Sequence, residues 1–220
     1  FVATDQVRYL AVLPQRIFSQ IDNFSLMAMC LFITTGEIMN RTGVTRALVD
    51  FSMSLVGRFR GGVGYVNVLT SIFFAGVSGS AVADAAALSS TLVPGMVEKG
   101  YRRSYAAAIT VAGSIIGPII PPSIILIFYG ALMQVSIGGL LAAGLLPGLL
   151  LGLALMIGNY IFARRHHHPG GRNEVVPSFF PTLLRATPAL MLPVIILGGI
   201  VIGVVTPTEA AALAVTASIV

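Results

Sequence analysis

The chain has 220 residues, of which 56% are hydrophobic and only 10% charged, and its mean hydropathy is +0.92, whereas a soluble domain carries roughly a quarter charged residues. No charge falls between Arg103 and Arg164, a stretch that only lipid or a buried bundle tolerates, so a soluble enzyme, a disordered tail and a nucleic-acid module are excluded and the fold class is an all-α polytopic membrane protein. The formal charge of +5 does not advertise a nucleic-acid partner, and the single cysteine, Cys30, offers neither a disulfide framework nor a thiolate metal site.

Eleven of the 13 Lys and Arg residues fall at 41–60, 99–103, 164–172 and 185. Placing all four groups on the cytoplasmic side obeys the positive-inside bias, and the chain between them must then leave and return each time. The chain opens on Phe1 and stops at Val220 inside an apolar run, which reads as a fragment of a longer polypeptide.

Residues 1–62 are expected to hold an outer amphipathic segment, one inward span over 23–40 and an interfacial helix over 47–57. The stretch between Arg46 and Arg58 is too short to cross a hydrocarbon core of about 30 Å. Residues 63–97 are flanked by basic groups at both ends and are short for two complete spans and a turn. They read as a re-entrant hairpin whose tip is Ser78-Gly79-Ser80. Unpaired peptide groups in hydrocarbon cost several kcal/mol each, so such a tip must be buried in protein or line a watery cavity. The plainer alternative is a pair of short helices joined outside.

Residues 98–137 are expected to form a broken transmembrane helix. Gly117-Pro118-Ile119-Ile120-Pro121-Pro122-Ser123 puts three prolines where each removes an N–H and blocks the carbonyl four residues earlier. A second span over 138–165 meets the first near residues 134–139. A cytoplasmic connection over 166–187 contains His166, His167 and His168, whose adjacency does not present the one-faced ligand set that a metal needs. Residues 188–220 then cross outward and begin a further unit. There Thr206-Pro207-Thr208-Glu209 fits a capping box, with Thr206 as N-cap.

A re-entrant tip and a broken helix at similar depth supply half-helix termini and free carbonyls, the groups that coordinate Na⁺ in secondary transporters. Asp84, four residues past the tip, stands between local anchoring and support of an ion site. Glu37, one turn from the inner interface beside Asn40 and Arg41, reads as a packing or snorkelling residue.

Several segments carry a family resemblance. They are Phe74-Ala75-Gly76-Val77-Ser78-Gly79-Ser80-Ala81-Val82-Ala83-Asp84-Ala85-Ala86-Ala87-Leu88, the proline motif followed by Tyr129-Gly130 and Ser136-Ile137-Gly138, and Thr206-Pro207-Thr208-Glu209-Ala210-Ala211-Ala212. Together with Gly36-Glu37-Ile38-Met39-Asn40 and Leu48-Val49-Asp50, they resemble the large membrane subunit of TRAP (tripartite ATP-independent periplasmic) transporters over nearly the whole chain. The resemblance implies an elevator-type inverted-repeat transporter fold in the bacterial inner membrane, with residues 188–220 starting the second repeat. It implies no cofactor other than sodium as the coupling ion. The implied partners are a periplasmic substrate-binding protein, a small membrane subunit, the lipid bilayer and a small organic acid such as a C4-dicarboxylate or a sialic acid. It places a sodium site on carbonyls around Ser78, Gly117, Ile120 and Pro122, with Gly79, Ser80, Asp84, Pro121 and Ser123 as supporting residues.

Three rival readings remain beside it. One is an elevator symporter for dicarboxylates that works without a binding protein. A second is a non-transporting membrane scaffold, which gains nothing from backbone groups freed in mid-membrane. The third is a rhomboid-like serine protease, suggested by Gly76-Val77-Ser78-Gly79 but lacking a histidine in any span.

Overall fold

A computed structural model describes residues 24–165 and 176–219, together with Val12 and Pro14. The expected outer segment and the three histidines lie outside the described residues. Nine helices run through the described residues, which hold no strand.

α1 (Phe24–Arg41) ends where Arg41 Nε donates to Glu37 Oε1 at 2.7 Å, an exposed pair one turn apart. Gly43, at φ +84°, turns the chain into α2 (Val44–Val56). At about 1.5 Å per residue, the 13 residues of α2 span well under the roughly 30 Å of a hydrocarbon core. α2 buries the stripe Thr45, Leu48, Phe51 and Ser52. The Phe51 ring lies 5.6 Å from Phe73 and 5.9 Å from Phe179, so α2 ties the third helix to the eighth.

α3 (Gly62–Ser78) and α4 (Ala81–Glu98) are the two arms of a hairpin, separated by Gly79 and Ser80 alone. α3 is the central element and packs against α1, α2, α4 and α8 as well as the helices that follow the hairpin. Its length is apolar and almost wholly buried, as a helix surrounded by helices requires. Among its few polar side chains, Asn67 donates from Nδ2 to Thr110 Oγ1 at 2.6 Å, which joins α3 to α5 (Arg103–Ser114).

After α5 the helix is interrupted and resumes as α6 (Ile124–Met133); α7 (Ile137–Arg165) and α8 (Phe179–Ile202) follow. α7 and α8 are long and apolar enough to cross a membrane. α8 starts at Phe179, where the sequence reading put the crossing after 187. The extended Ser178 and Pro181 in the first turn begin the helix there, since the first four N–H groups of a helix have no intrahelical acceptor and a proline among them loses nothing. Arg185 is therefore an exposed residue on a helix, not part of a loop. α9 (Pro207–Ile219) lies along α1. Its start has the expected capping box: the Thr206 N–H donates to Glu209 Oε2 at 2.7 Å, and Thr206 Oγ1 accepts from the Glu209 N–H at 3.3 Å.

The main core joins Phe32 of α1, Leu48 of α2, Phe74 and Val77 of α3, Leu192 and Ile196 of α8, and Ala211 of α9. The hairpin tip sits at its edge.

Candidate functional site

The tip is made by its own side chains. Gly79 adopts φ +60°, a left-handed conformation that glycine takes without penalty, and its N–H returns to the Ala75 carbonyl at 3.2 Å to close α3. Ser80 then opens α4 as its N-cap, its hydroxyl 3.5 Å from the Ala83 N–H, while its own N–H donates to Ser78 Oγ at 3.2 Å. The Ser78 hydroxyl donates to Asp84 Oδ1. Asp84 is fully buried, and its second oxygen, Oδ2, has no hydrogen-bond partner among the described residues.

The break has an equally local cause. Pro118, Pro121 and Pro122 cannot donate to the carbonyls of Ser114, Gly117 and Pro118, four residues earlier. Two of those three carbonyls find other donors: Ser114 accepts from the Gly117 N–H at 3.1 Å, and Pro118 accepts from the Ser123 hydroxyl at 2.5 Å. The Gly117 carbonyl does not. Among the described residues, no hydrogen bond reaches the carbonyls of Gly117, Ile120, Pro121 or Pro122. The Pro121–Pro122 peptide is cis. Ser123 restarts the chain as α6 by accepting from the Leu126 N–H at 3.2 Å.

Tip and break meet. A Cβ added to Gly79 would collide with the Pro122 carbonyl, and one added to Gly117 would collide with Asp84 Oδ2. On the α1 side, a Cβ at Gly36 would come to 3.2 Å from the Ser78 Cα, and on the α8 side Gly76 accommodates the Pro193 ring. Ser78, Gly79, Gly117, Ile120, Pro121, Pro122 and Ser123 are all buried. A cavity of about 410 Å³ opens beside the tip, lined in part by Gly36, Asn40, Ser78 and Ser80.

The structure therefore brings Ser78, Gly79 and Asp84 against Gly117, Pro121 and Pro122. The Ile120 side chain packs into the core with Ala75 and Ile116. The Ser80 and Ser123 hydroxyls cap α4 and α6 and hold the two turns in place. Asp84 anchors the tip through one carboxylate oxygen, and its other oxygen faces Gly117 of the break. Glu37 also lines the cavity, with its carboxylate held by Arg41. Gly36 and Pro193 escaped the sequence reading as site residues. Nothing local marks them, since each acts only by its close approach to a segment far away in the chain.

Chemically, the junction is a buried cluster of oxygen atoms. The C-terminal ends of α3 and α5 point partial negative charge toward it, and Asp84 adds a carboxylate. Among the described residues, no group of three or more His, Cys, Asp or Glu side chains converges. Backbone carbonyls with one carboxylate suit a hard cation rather than a transition metal. The serine-protease reading fails here, because Ser78 pairs with a carboxylate and all three histidines of the chain lie at 166–168.

A helical hairpin apposed to a broken helix, in an all-α chain with helices long and apolar enough to cross a membrane, is an arrangement of the kind that membrane transporters build from discontinuous helices. The family model described as "Tripartite ATP-independent periplasmic transporter, DctM component" matches residues 1–220, and this chain belongs to that family. It is 41% identical to the sialic acid TRAP transporter large permease protein SiaM of Vibrio cholerae over 198 residues, covering 90% of this chain and 46% of the relative. It is likewise 41% identical to the C4-dicarboxylate TRAP transporter large permease protein DctM of Pseudomonas aeruginosa over 210 residues, 96% of this chain and 48% of the relative. With the isethionate TRAP transporter permease protein DctMQ of Oleidesulfovibrio alaskensis it shares 43% identity over 201 residues, 91% of this chain and 32% of that longer protein. The chain thus spans about half the length of the large permease relatives it matches. These relatives are transporter permeases, not enzymes.

Proposed function

We propose that this chain forms about half of the permease subunit of a sodium-coupled TRAP transporter, importing a small organic acid across the bacterial inner membrane. In this reading the hairpin α3–α4 and the broken helix α5–α6 hold one sodium ion through the carbonyls of Ser78, Gly117, Ile120 and Pro122, with Asp84 behind them. The ion supplies the positive charge that joins tip and break. Gly79 and Pro121 shape the approach, and Ser80 and Ser123 fix the turns on either side.

The observation that carries the reading is the buried contact of Gly79 with the Pro122 carbonyl and of Asp84 Oδ2 with Gly117. Among the described residues, four carbonyls and one carboxylate oxygen there have no donor. Leaving such groups unpaired in a low-dielectric setting costs several kcal/mol, a cost that a bound cation offsets. The hairpin would travel with the substrate in an elevator movement, as one of two inverted repeats. A periplasmic binding protein would deliver the substrate, and a small membrane subunit would complete the assembly. The relatives are named for sialic acid, a C4-dicarboxylate and isethionate, all small acids, which supports an anionic substrate.

The test is uptake by the intact transporter in proteoliposomes, with an inward sodium gradient or a potassium one, and with or without its binding protein. Uptake that requires both sodium and the binding protein supports the proposal. Equal uptake without sodium removes the ion site, and equal uptake without the binding protein points to the binding-protein-independent symporter.

A further inference from the structure

A second built feature lies where the hairpin begins, remote in sequence from the tip. Asn159 is buried in the C-terminal part of the apolar α7, where an unpaired amide would be costly. Its Oδ1 accepts from the Tyr105 hydroxyl at 2.6 Å, and its Nδ2 donates to the Gly61 carbonyl at 3.4 Å. Gly61 adopts φ +74°, and a Cβ there would lie 2.6 Å from the Ala163 Cβ. Asn159 thus pins the Arg60–Gly61 turn directly onto the end of α7.

The consequence is a cavity of about 250 Å³ lined by Phe59, Arg60, Tyr65, Tyr160, Ala163 and Arg164. Two cations from segments a hundred residues apart share it. The Arg164 guanidinium carbon lies over the Tyr160 ring, 4.8 Å from its centroid, a cation–π contact that holds the charge at the cavity. Among the described residues the one ion pair is Arg41 with Glu37, and no described carboxylate pairs with Arg60 or Arg164. Below the cavity, α7 exposes Leu153, Ile157 and Ile161, an apolar face on a helix long enough to cross a membrane.

We propose that this cavity binds the headgroup of an anionic phospholipid. The phosphodiester lies between Arg60 and Arg164, and the acyl chains run along Ile161, Ile157 and Leu153. Charge selects the headgroup: a guanidinium fork matches phosphate oxygens, and basic pockets at the end of membrane helices attract anionic lipid. The apolar face selects a lipid over a free anion. By the positive-inside bias the leaflet is the cytoplasmic one.

The intact permease in detergent, titrated with phosphatidylglycerol or phosphatidylcholine and weighed by native mass spectrometry, tests this. Wild type is expected to retain phosphatidylglycerol about tenfold better than phosphatidylcholine, and Arg60→Ala/Arg164→Ala to lose that preference. Arg58→Ala, which removes a cation of the same loop from outside the cavity, keeps it. Equal retention of the two lipids by wild type, an unchanged preference in the double variant, or an equal loss in Arg58→Ala overturns the proposal. Displacement of the lipid by inorganic phosphate also overturns it, since that describes an ion site. On wild type alone, a photoactivatable phosphatidylglycerol should crosslink within residues 59–65 or 153–164. Labelling confined to other segments contradicts the site without need of a variant.

Discussion

α7 and the α5–α6 segment are equally apolar and both contain proline, yet one is a continuous helix of 29 residues and the other comes apart. In α7, Pro147 withholds a donor from a single carbonyl, that of Ala143, and the helix on either side carries it. α8 tolerates Pro188 and Pro193 in the same way, five residues apart. Between Ser114 and Ser123, three prolines fall within five residues, so the carbonyls of Ser114, Gly117 and Pro118 lose their helical donors together and the helix cannot bridge the gap. Density of proline, not its presence, separates a kink from a site.

The comparison breaks most sharply at the tip. Gly79→Val puts a β-branched side chain at φ +60° and against the Pro122 carbonyl, a backbone cost of about 1–3 kcal/mol before the clash is counted. Sodium-driven uptake by the intact transporter should fall to background while membrane insertion, followed by surface labelling, stays at wild-type level.

Next in size is the proline pair of substitutions. Pro121→Ala restores an N–H that can close on the Gly117 carbonyl, and should raise the sodium concentration for half-maximal uptake about tenfold, equivalent to about 1.4 kcal/mol. Pro147→Ala in α7 should leave it within about twofold. Similar effects at both positions would erase the distinction between kink and site.

Asp84→Asn keeps an oxygen for the Ser78 hydroxyl and removes the charge that faces Gly117. It should weaken sodium dependence several-fold with little change in expression, because loss of a charge-assisted contact costs about 1–3 kcal/mol. Ser78→Ala should be milder, as the proposed ion ligand there is the backbone carbonyl. The smallest effect belongs to Glu209→Ala at the start of α9. It removes half of a capping box, should lower the melting temperature slightly, and should leave sodium dependence unchanged.

Features written in local chemistry were legible before any coordinates. Basic groups on both sides of residues 63–97 marked the hairpin, three prolines marked the break, and Thr206 with Glu209 marked a helix start. Where the sequence misplaced an edge, as at Phe179, the charge of Arg185 had extended the cytoplasmic connection to 187. Pro181 in a first turn gave no contrary sign. Contacts between distant segments left no local trace at all. Gly36 against Ser78, Pro193 against Gly76 and Asn159 against Gly61 depend on how helices stack, and a glycine or an asparagine in an apolar run does not name its neighbour.

Everything proposed for the site depends on the Ser78–Ser80 tip and the Gly117–Ser123 break together holding a sodium ion. Equilibrium binding of radiolabelled sodium to the purified intact transporter, compared between wild type and Gly79→Val, measures this without the movement that uptake requires. The account predicts that the variant binds one sodium fewer per permease at saturation. Identical stoichiometry and affinity in the two proteins would contradict it.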